Sequence, residues 1–487
     1  MVGTQKPRQY EFSLGVVSVP DSPARRQLVR VAERIDFEFV RAWVAPYFSA
    51  IGRPSVDPVV MVKMMLLGYL FGIESDRALV GECADRLSFR EFLGLNVSDP
   101  LPTHPCFTHW RQRLGPELFR ELLHEIVRQI VAHGMVLSEA RTIDATTVKA
   151  QADEHGPVLP VPAGEDDAAV RRHVEGVFAD AVPEVPDDQP WMPVNLHDAD
   201  ARLQRKDGEP AEFGYQTSFC ADPESGLITD ATATPTERPS TMVDHLAHDP
   251  FPVSEVVADS RYDAGDSLAD VQSRGVRTYV PKIDRDKPGQ LSKDWFTYDP
   301  QADCYWCPAG HCLRYAGFNR HSQLHQYVAR KTDCAACALK PRCTQSQRRM
   351  VTRTVNEAAR ERTLRGGRRY QELMGRRRVN EHLNGLAKRD HGLRRARSLG
   401  LAAMRIQAAW TAIAINILKL VRWRPRRGPG AAFALCFARL LGALCAPHRR
   451  PPRQEPSEAT PGGHRGRRLR LGRPDRLSIT AGTAGLL

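Results

Sequence analysis

Two aspartates in this chain stand where a carboxylate is costly unless something meets it. Asp144 lies in "ARTIDATTVKAQAD", after Thr142-Ile143 and before the β-branched run Thr146-Thr147-Val148. A charge inside a strand is unfavourable unless it is paired or coordinates a cation. Asp259 follows the apolar run Val256-Val257-Ala258 in "EVVADSRYDAGDSLADVQSRGVRTYVP". That segment reads as strand, polar turn, helix from Asp266 to Arg274, and second strand from Val276 to Val280. An acid at the carboxyl end of a buried strand opens onto the crevice where α/β sheets bind ligands. One such residue reads as a turn or helix cap; a pair points to shared metal ions.

A third acid, Glu381, comes from "GRRRVNEHLNGLAKRDHGLRRARSLGL". Val379, Leu383 and Leu386 share one helical face there, and Arg377, Glu381 and Lys388 stand on roughly one other. Taken alone, Glu381 is a solvated helix residue. As the last of an ordered Asp, Asp, Glu set it becomes a metal ligand.

The elements that must position these acids follow from the intervening sequence. "FGYQTSFCADPESGLITDATAT" reads as strands Phe213 to Ala221 and Leu227 to Thr234 around an Asp222-Pro223-Glu224-Ser225-Gly226 turn. Strand with Asp, hairpin, helix, strand with Asp is the order of an RNase H-like sheet, in which the two Asp strands lie side by side. Upstream the pattern is helical: Arg26 to Phe48, Pro58 to Phe71, Ser75 to Asp85, Ser88 to Leu93 and Pro116 to His133, with Asp57-Pro58 and Gly115-Pro116 marking starts and Gly134 a C-cap. Within that region His109 to Arg113 is one place for a groove-reading helix. The expected fold is therefore an α/β RNase H-like catalytic domain, a mixed sheet flanked by helices. It carries an all-α N-terminal domain and a small cysteine-rich insertion.

Six of the eleven cysteines fall in forty residues, as Cys304-x2-Cys307-x4-Cys312 and Cys334-x2-Cys337-x5-Cys343. Two Cys-x2-Cys turns of this form favour thiolate zinc over disulfides in a cytosolic chain. Cys83, Cys106, Cys220, Cys436 and Cys445 read as isolated residues.

With these motifs the chain resembles bacterial insertion-sequence transposases of the DDE type, from the group with a helical N-terminal domain and a cysteine-bearing insertion. The family's Tyr-x2-Arg-x3-Glu-x6-Lys signature falls on Met374, Arg377, Glu381 and Lys388, so methionine stands in the tyrosine position and the nearest tyrosine, Tyr370, is a turn earlier. "GRPSVDPVVMVKMMLLGYLFGIESDRALVGECADRLSFREFLGL" and "DPLPTHPCFTHWRQRLGPELF" match the family's N-terminal blocks. The likeness covers residues 10–422 and is weakest over 154–193.

The resemblance implies cutting of transposon ends and joining to target DNA. In that chemistry Asp144, Asp259 and Glu381 hold two Mg²⁺ (or Mn²⁺) ions, and Arg377 and Lys388 neutralise charge near the scissile phosphate. It further implies Zn²⁺ on Cys307, Cys334, Cys337 and Cys343, with Cys304 and Cys312 spare or Cys304 in place of Cys343. Double-stranded DNA, as terminal repeats and target, is the expected partner, with a homodimer or higher assembly on it. "Asp-x-Asp-Ala-Arg" over Asp198 to Arg202 has a structural or DNA-facing counterpart in the family, although His197 to Arg202 by itself reads as a surface loop. Two other readings remain open from the residues: a DNA-binding regulator without catalysis, and an RNase H-like nuclease.

Composition sets the frame. At 487 residues and 42% hydrophobic content the chain is expected to form several domains. These are residues 1–135 (helical, DNA-binding), 136–285 (catalytic, first part), 286–355 (zinc insertion), 356–423 (catalytic, C-terminal helices) and 424–487 (tail). Neither a signal peptide nor a spanning stretch is read, since Ala408 to Leu418 is too short. A cytoplasmic, nucleoid-associated protein is expected. The net charge of +12 is concentrated: residues 424–487 carry thirteen arginines against three acids, leaving +2 for residues 1–423. DNA affinity in the body must therefore come from patches such as Arg376 to Arg378, Lys388-Arg389, Arg394-Arg395 and Arg397. Residues 154–193 read as a mobile connection. The tail, rich in Arg, Pro, Gly and Ala, is expected to be largely disordered, and reads either as a nonspecific nucleic-acid binder or as a non-native extension.

Overall fold

The protein is described by a computed structural model covering residues 19–424, apart from 50, 53, 153–157, 163–166, 179–190, 206, 207, 209, 284–289 and 320–323. The tail beyond Arg424, including Ala431 to Leu444, the one stretch there whose pattern would allow an amphipathic helix, lies outside the described residues.

Asp57 starts the helix on which the N-terminal region is built. Its carboxylate accepts from Val59 N, Pro58 supplies a preset first residue, and α1 (Pro58–Leu70) follows, buried nearly all round. Ser75 caps Asp76–Asp85 in the same way, and Leu87–Leu93 closes on Gly94, which has φ 74°. The single helix expected over Arg26 to Phe48 is instead two, Pro23–Arg34 and Phe39–Val44. They part because Asp36 turns its backbone to Gln129 and its carboxylate to Glu38 N. The expected start at Gly115-Pro116 holds: Gly115, at φ 71° and ψ 168°, is non-helical and divides α2 (His104–Ala132) into two helical halves, the second beginning at Pro116.

The sheet is built on β1 (Ala140–Lys149), which lies at its centre. Around it stand β2 (Arg202–Gln204), β3 (Glu212–Ala221), β4 (Ile228–Thr234), β5 (Glu255–Val257) and β6 (Arg277–Tyr279). β3 runs antiparallel to β1, with Asp144 opposite Phe219, while β5 runs parallel to β1 and β6 parallel to β5. β2 and β4 pair with successive halves of the outer edge of β3. The β3–β4 turn is closed by Asp222, whose carboxylate accepts from Ser225 N at 2.6 Å and Ser138 N at 2.9 Å. Helices α3 (Ser240–His248) and α4 (Gly265–Ser273) fill the β4-to-β5 and β5-to-β6 connections.

Between β6 and the last helices the chain makes a second, five-stranded antiparallel sheet. Its strands are β7 (Thr297–Asp299), β8 (Cys304–Trp306), β9 (Cys312–Asn319), β10 (Leu324–Val328) and β11 (Met350–Thr354), paired in sequence order. Phe296, Tyr305, Leu313, Tyr327 and Val351 form its small core. The chain then returns through α5 (Arg378–Asp390) and α6 (Leu401–Arg422).

α6 is long and apolar enough to cross a bilayer, and 78% of its apolar window is buried inside the protein. Trp410 explains why: its ring packs on Tyr69 of α1 at 5.9 Å and Phe119 of α2 at 6.0 Å. One hydrophobic core thus joins the N-terminal helices, the β3–β4 side of the sheet and α6.

Two expectations change here. Residues 154–193 are not a bare connection, because Val158–Pro162 pairs with Trp191–Asn195 and helix Asp167–Phe178 packs Val170 and Val174 against them. Asp198 is not on a surface loop. It is 2% exposed and accepts from Tyr215 Oη at 2.6 Å, while Asp200 takes Leu401 N and Arg171. Two short acids tie the loop to β3 and to the start of α6.

Candidate active site

β1 carries Asp144 into the middle of the sheet, and α5 is pinned over it. Asn380 Nδ2 donates to Thr142 Oγ1 at 3.1 Å, and Asn384 Nδ2 donates to Asp144 Oδ2 at 3.1 Å. Arg377, at the start of the same helix, reaches between two acids. Its Nη1 is 3.9 Å from Asp144 Oδ1 and its Nη2 is 3.8 Å from Glu381 Oε1. These are ion pairs at the edge of contact rather than hydrogen bonds. Asp144 is mostly buried, whereas the Glu381 side chain is 62% exposed.

Asp259 leaves the end of β5 and caps the turn Ser260–Tyr262, accepting from Arg261 N at 2.9 Å. It faces Asp144 closely enough to act on it. Burial first, and then the Asp259 charge, push the Asp144 carboxyl up to about 6 against the opposing pull of Arg377. Glu237, from the segment between β4 and α3, adds to that repulsion and holds Arg261 at 2.6 Å. Lys388 lies on α5, half-buried, two turns beyond Glu381, and its carbonyl accepts from Arg394 Nε at 3.2 Å.

Asn380, Asn384, Glu237 and Arg261 escaped the reading of the sequence. The two asparagines were within reach of it, since they fall three and seven residues after Arg377 on the face that carries Glu381. Glu237 and Arg261 had no such signal, because their meeting depends on how β4 and β5 are placed. Met374 and Tyr370 pack partly buried against Ala140, Val257, Tyr279 and Leu373. The methionine thus fills an apolar seat beneath the site. Of the basic patches, Arg394 and Arg395 are exposed, but Arg376 pairs with Glu224 and Arg389 with Asp390. Arg397 turns inward, 3.9 Å over the Tyr69 ring. On α2, Trp110 is buried and Arg111 is bound to Asp76, so only His109, Gln112 and Arg113 of that stretch face outward.

In the insertion, Cys307, Cys334, Cys337 and Cys343 line one cavity of about 30 Å³, with His311 beside them. Cys307 opens one tight turn and Cys334 to Cys337 form another, while Cys343 ends the short helix Lys340–Cys343. His311 N donates to Cys307 Sγ at 3.3 Å, and Cys337 N reaches Cys334 O at 3.4 Å. Burial and then the facing thiols push the Cys343 thiol up, against the pull of Arg349. Cys304 is elsewhere: burial and its bond to Cys312 raise its thiol to about 11. Among the described residues, no three His, Cys, Asp or Glu side chains are drawn together tightly enough to hold a metal ion as they stand.

Residues 19–113 match the family model described as "Transposase domain (DUF772)", and residues 306–421 match "Transposase DDE domain". Both matched families are transposases, the second of the DDE type. Both stretches bracket the sheet that carries Asp144 and Asp259, and the second includes Glu381 and all four cavity cysteines. Among solved structures, the chain is similar to a piggyBac transposase synaptic complex with hairpin DNA, studied by cryo-EM. The identity is 10% and the TM-score 0.33, over 87% of this chain and 79% of that one. No curated protein matches it.

Proposed function

We infer that the protein cuts transposon ends and joins them to target DNA at Asp144, Asp259 and Glu381, on an RNase H-like sheet. The sheet order supports the fold reading: β4, β3, β1, β5 and β6 stand side by side, and in that series only β3 runs against the rest. One observation carries the site reading. Asp144 is a mostly buried carboxylate, driven up to about 6, with a second acid facing it and only the Asn384 amide, the Ala145 N–H and a long contact to Arg377 for relief. The buried Asn384 Oδ1 beside it has no protein partner. Hard oxygen donors short of positive charge fit Mg²⁺ or Mn²⁺.

Asp144, Asp259 and Glu381 would hold these ions, which when bound lower the pKa of an attacking water or 3′-hydroxyl and stabilise the leaving oxygen. The chain's own groups orient the reaction. Asn380 and Asn384 fix α5 against β1, so that Glu381 is delivered to the same face. Arg377 holds Asp144 ionised and stands ready for phosphate, and Lys388 adds charge along the same helix. Cys307, Cys334, Cys337 and Cys343 would hold Zn²⁺, a fit made by four thiols lining one cavity and by the N–H donated to Cys307.

The test uses purified protein and DNA carrying the flanking terminal repeats. Nicked and joined products are expected with Mg²⁺ and not without a divalent ion. Nicks with no joining would mark a nuclease, and binding with neither would mark a regulator. Zinc near one equivalent is expected by elemental analysis, lost in Cys334→Ser and kept in Cys304→Ser; protein purified without chelator and free of zinc would refute the thiolate site.

A further inference from the structure

The cysteine insertion differs from the rest of the surface in two ways at once. Of the five large aromatics exposed among the described residues, four are here: Trp295, Trp306, Tyr315 and Phe318. Residues 290–354 also carry ten Lys and Arg against four acids, a balance of +6, so the remainder of residues 1–423 is at −4. Two of the four acids are engaged internally. Asp303 accepts from Tyr298 and Tyr327, and Asp299 from Trp306 Nε1 and turn amides.

The rings are ordered by the strands. Phe318 stands opposite His325 in the β9–β10 register, with ring centroids 4.9 Å apart, and Tyr315 lies 5.8 Å from the same imidazole. Tyr315 in turn meets the buried Tyr327, which roots the row in the insertion's core. Arg353, opposite His325 on β11, lies 4.0 Å over the Tyr298 ring. Tyr315 and Phe318 are 46% and 37% exposed, although burying such rings is what a sheet core ordinarily does. A bulge in β9 between Tyr315 and Gly317, where Gly317 takes φ 147°, shifts the pairing register between the two rings.

We propose that the Tyr315–His325–Phe318 row binds unpaired bases of single-stranded DNA, with the insertion's basic surface following the phosphates. Aromatic faces take any base, and a basic groove supplies the salt-dependent part of the affinity. A protein partner would suit the apolar rings, but nothing in it calls for the local excess of positive charge. Where the single strands come from rests on the strand-cutting reading above; the binding itself does not.

The experiment is fluorescence anisotropy of zinc-loaded full-length protein with a labelled oligo-dT and with a random duplex of equal length, in Mg²⁺-free buffer. Tyr315→Ala/Phe318→Ala is expected to weaken oligo-dT binding by about tenfold or more, the scale of stacking on one or two bases, with duplex binding held. Tyr315→Leu/Phe318→Leu, which keeps apolar bulk, is expected to lose as much. Equal losses on both DNAs, full rescue by leucine, or no loss would overturn the proposal. No loss combined with altered sedimentation would make the row a protein interface instead. Failure of Mg²⁺-dependent cleavage, with the oligo-dT loss intact, would sink the transposition chemistry and leave this surface standing.

Discussion

Asp230 and Asp144 sit two strands apart in one sheet and are treated in opposite ways. Asp230 is fully buried, yet Arg120 Nε reaches it at 2.7 Å, His124 Nε2 at 2.9 Å and His245 Nδ1 at 2.6 Å. Burial alone would raise its carboxyl; the hydrogen bonds from Arg120, His124 and His245 outweigh that and hold it well below the usual range. The network continues through His245 Nε2 to Ser218 Oγ at 2.9 Å, and Ser218 donates to the Asp144 carbonyl at 3.2 Å. Asp144 itself receives the Asn384 amide, the Ala145 N–H and one distant guanidinium, against the charges of Asp259 and Glu237. A carboxylate surrounded by donors is part of the framework. One left short of them, with a second acid facing it, is a place for a cation to arrive.

The largest expected effect breaks the pair apart by activity. Asp144→Asn, Asp259→Asn and Glu381→Gln should each lower Mg²⁺-dependent end cleavage on the order of a thousandfold, with end binding preserved in a mobility shift. An Asp144→Asn protein that still cuts would remove the reason for separating the two aspartates.

Stability should divide them the other way. Asp230→Ala leaves Arg120 buried without its main partner, and denaturant unfolding should show a loss of about 3–5 kcal/mol. Asp144→Ala should cost far less, because it relieves repulsion. Similar losses in both variants would mean that Asp144 is as structural as Asp230.

The smallest effect is a pH dependence of opposite sign at the two sites. In metal-free buffer the folded chain keeps a proton on Asp144 up to about 6, against an ordinary value of 3.8. The stability from that proton is complete below the ordinary value and is lost as pH rises through about 6. The loss is at most about 3 kcal/mol, at roughly 1.4 kcal/mol for each tenfold change in proton affinity, and Asp144→Asn should abolish it. Asp230, held low, contributes above the ordinary carboxylate value and loses its contribution as pH falls below it. Unfolding free energies between pH 4 and 7 that fail to separate wild type from Asp144→Asn would show that Asp144 is better solvated than its surroundings imply.

Spacing in the chain by itself determined much of the local layout. Alternation and β-branching marked β1, β3 and β4, and Pro and Gly marked their turns, because a strand's period and a turn's φ are properties of neighbouring residues. The Cys334-x2-Cys337 turn was legible for the same reason, and so was the helix that carries Arg377, Glu381 and Lys388, whereas Cys304 of the other Cys-x2-Cys stands on β8 and bonds Cys312. Tertiary structure alone decided which polar groups would meet. Asn384 and Asp144 are 240 residues apart, and Arg120 and Asp230 are 110 apart. No periodicity couples such positions. The burial of Asp198 and the inward turn of Arg397 onto Tyr69 belong with them, since both follow from where α1, β3 and α6 pack. Whether an aspartate becomes framework or site depends on how many donors the fold brings to it, and only the packing of distant elements sets that number.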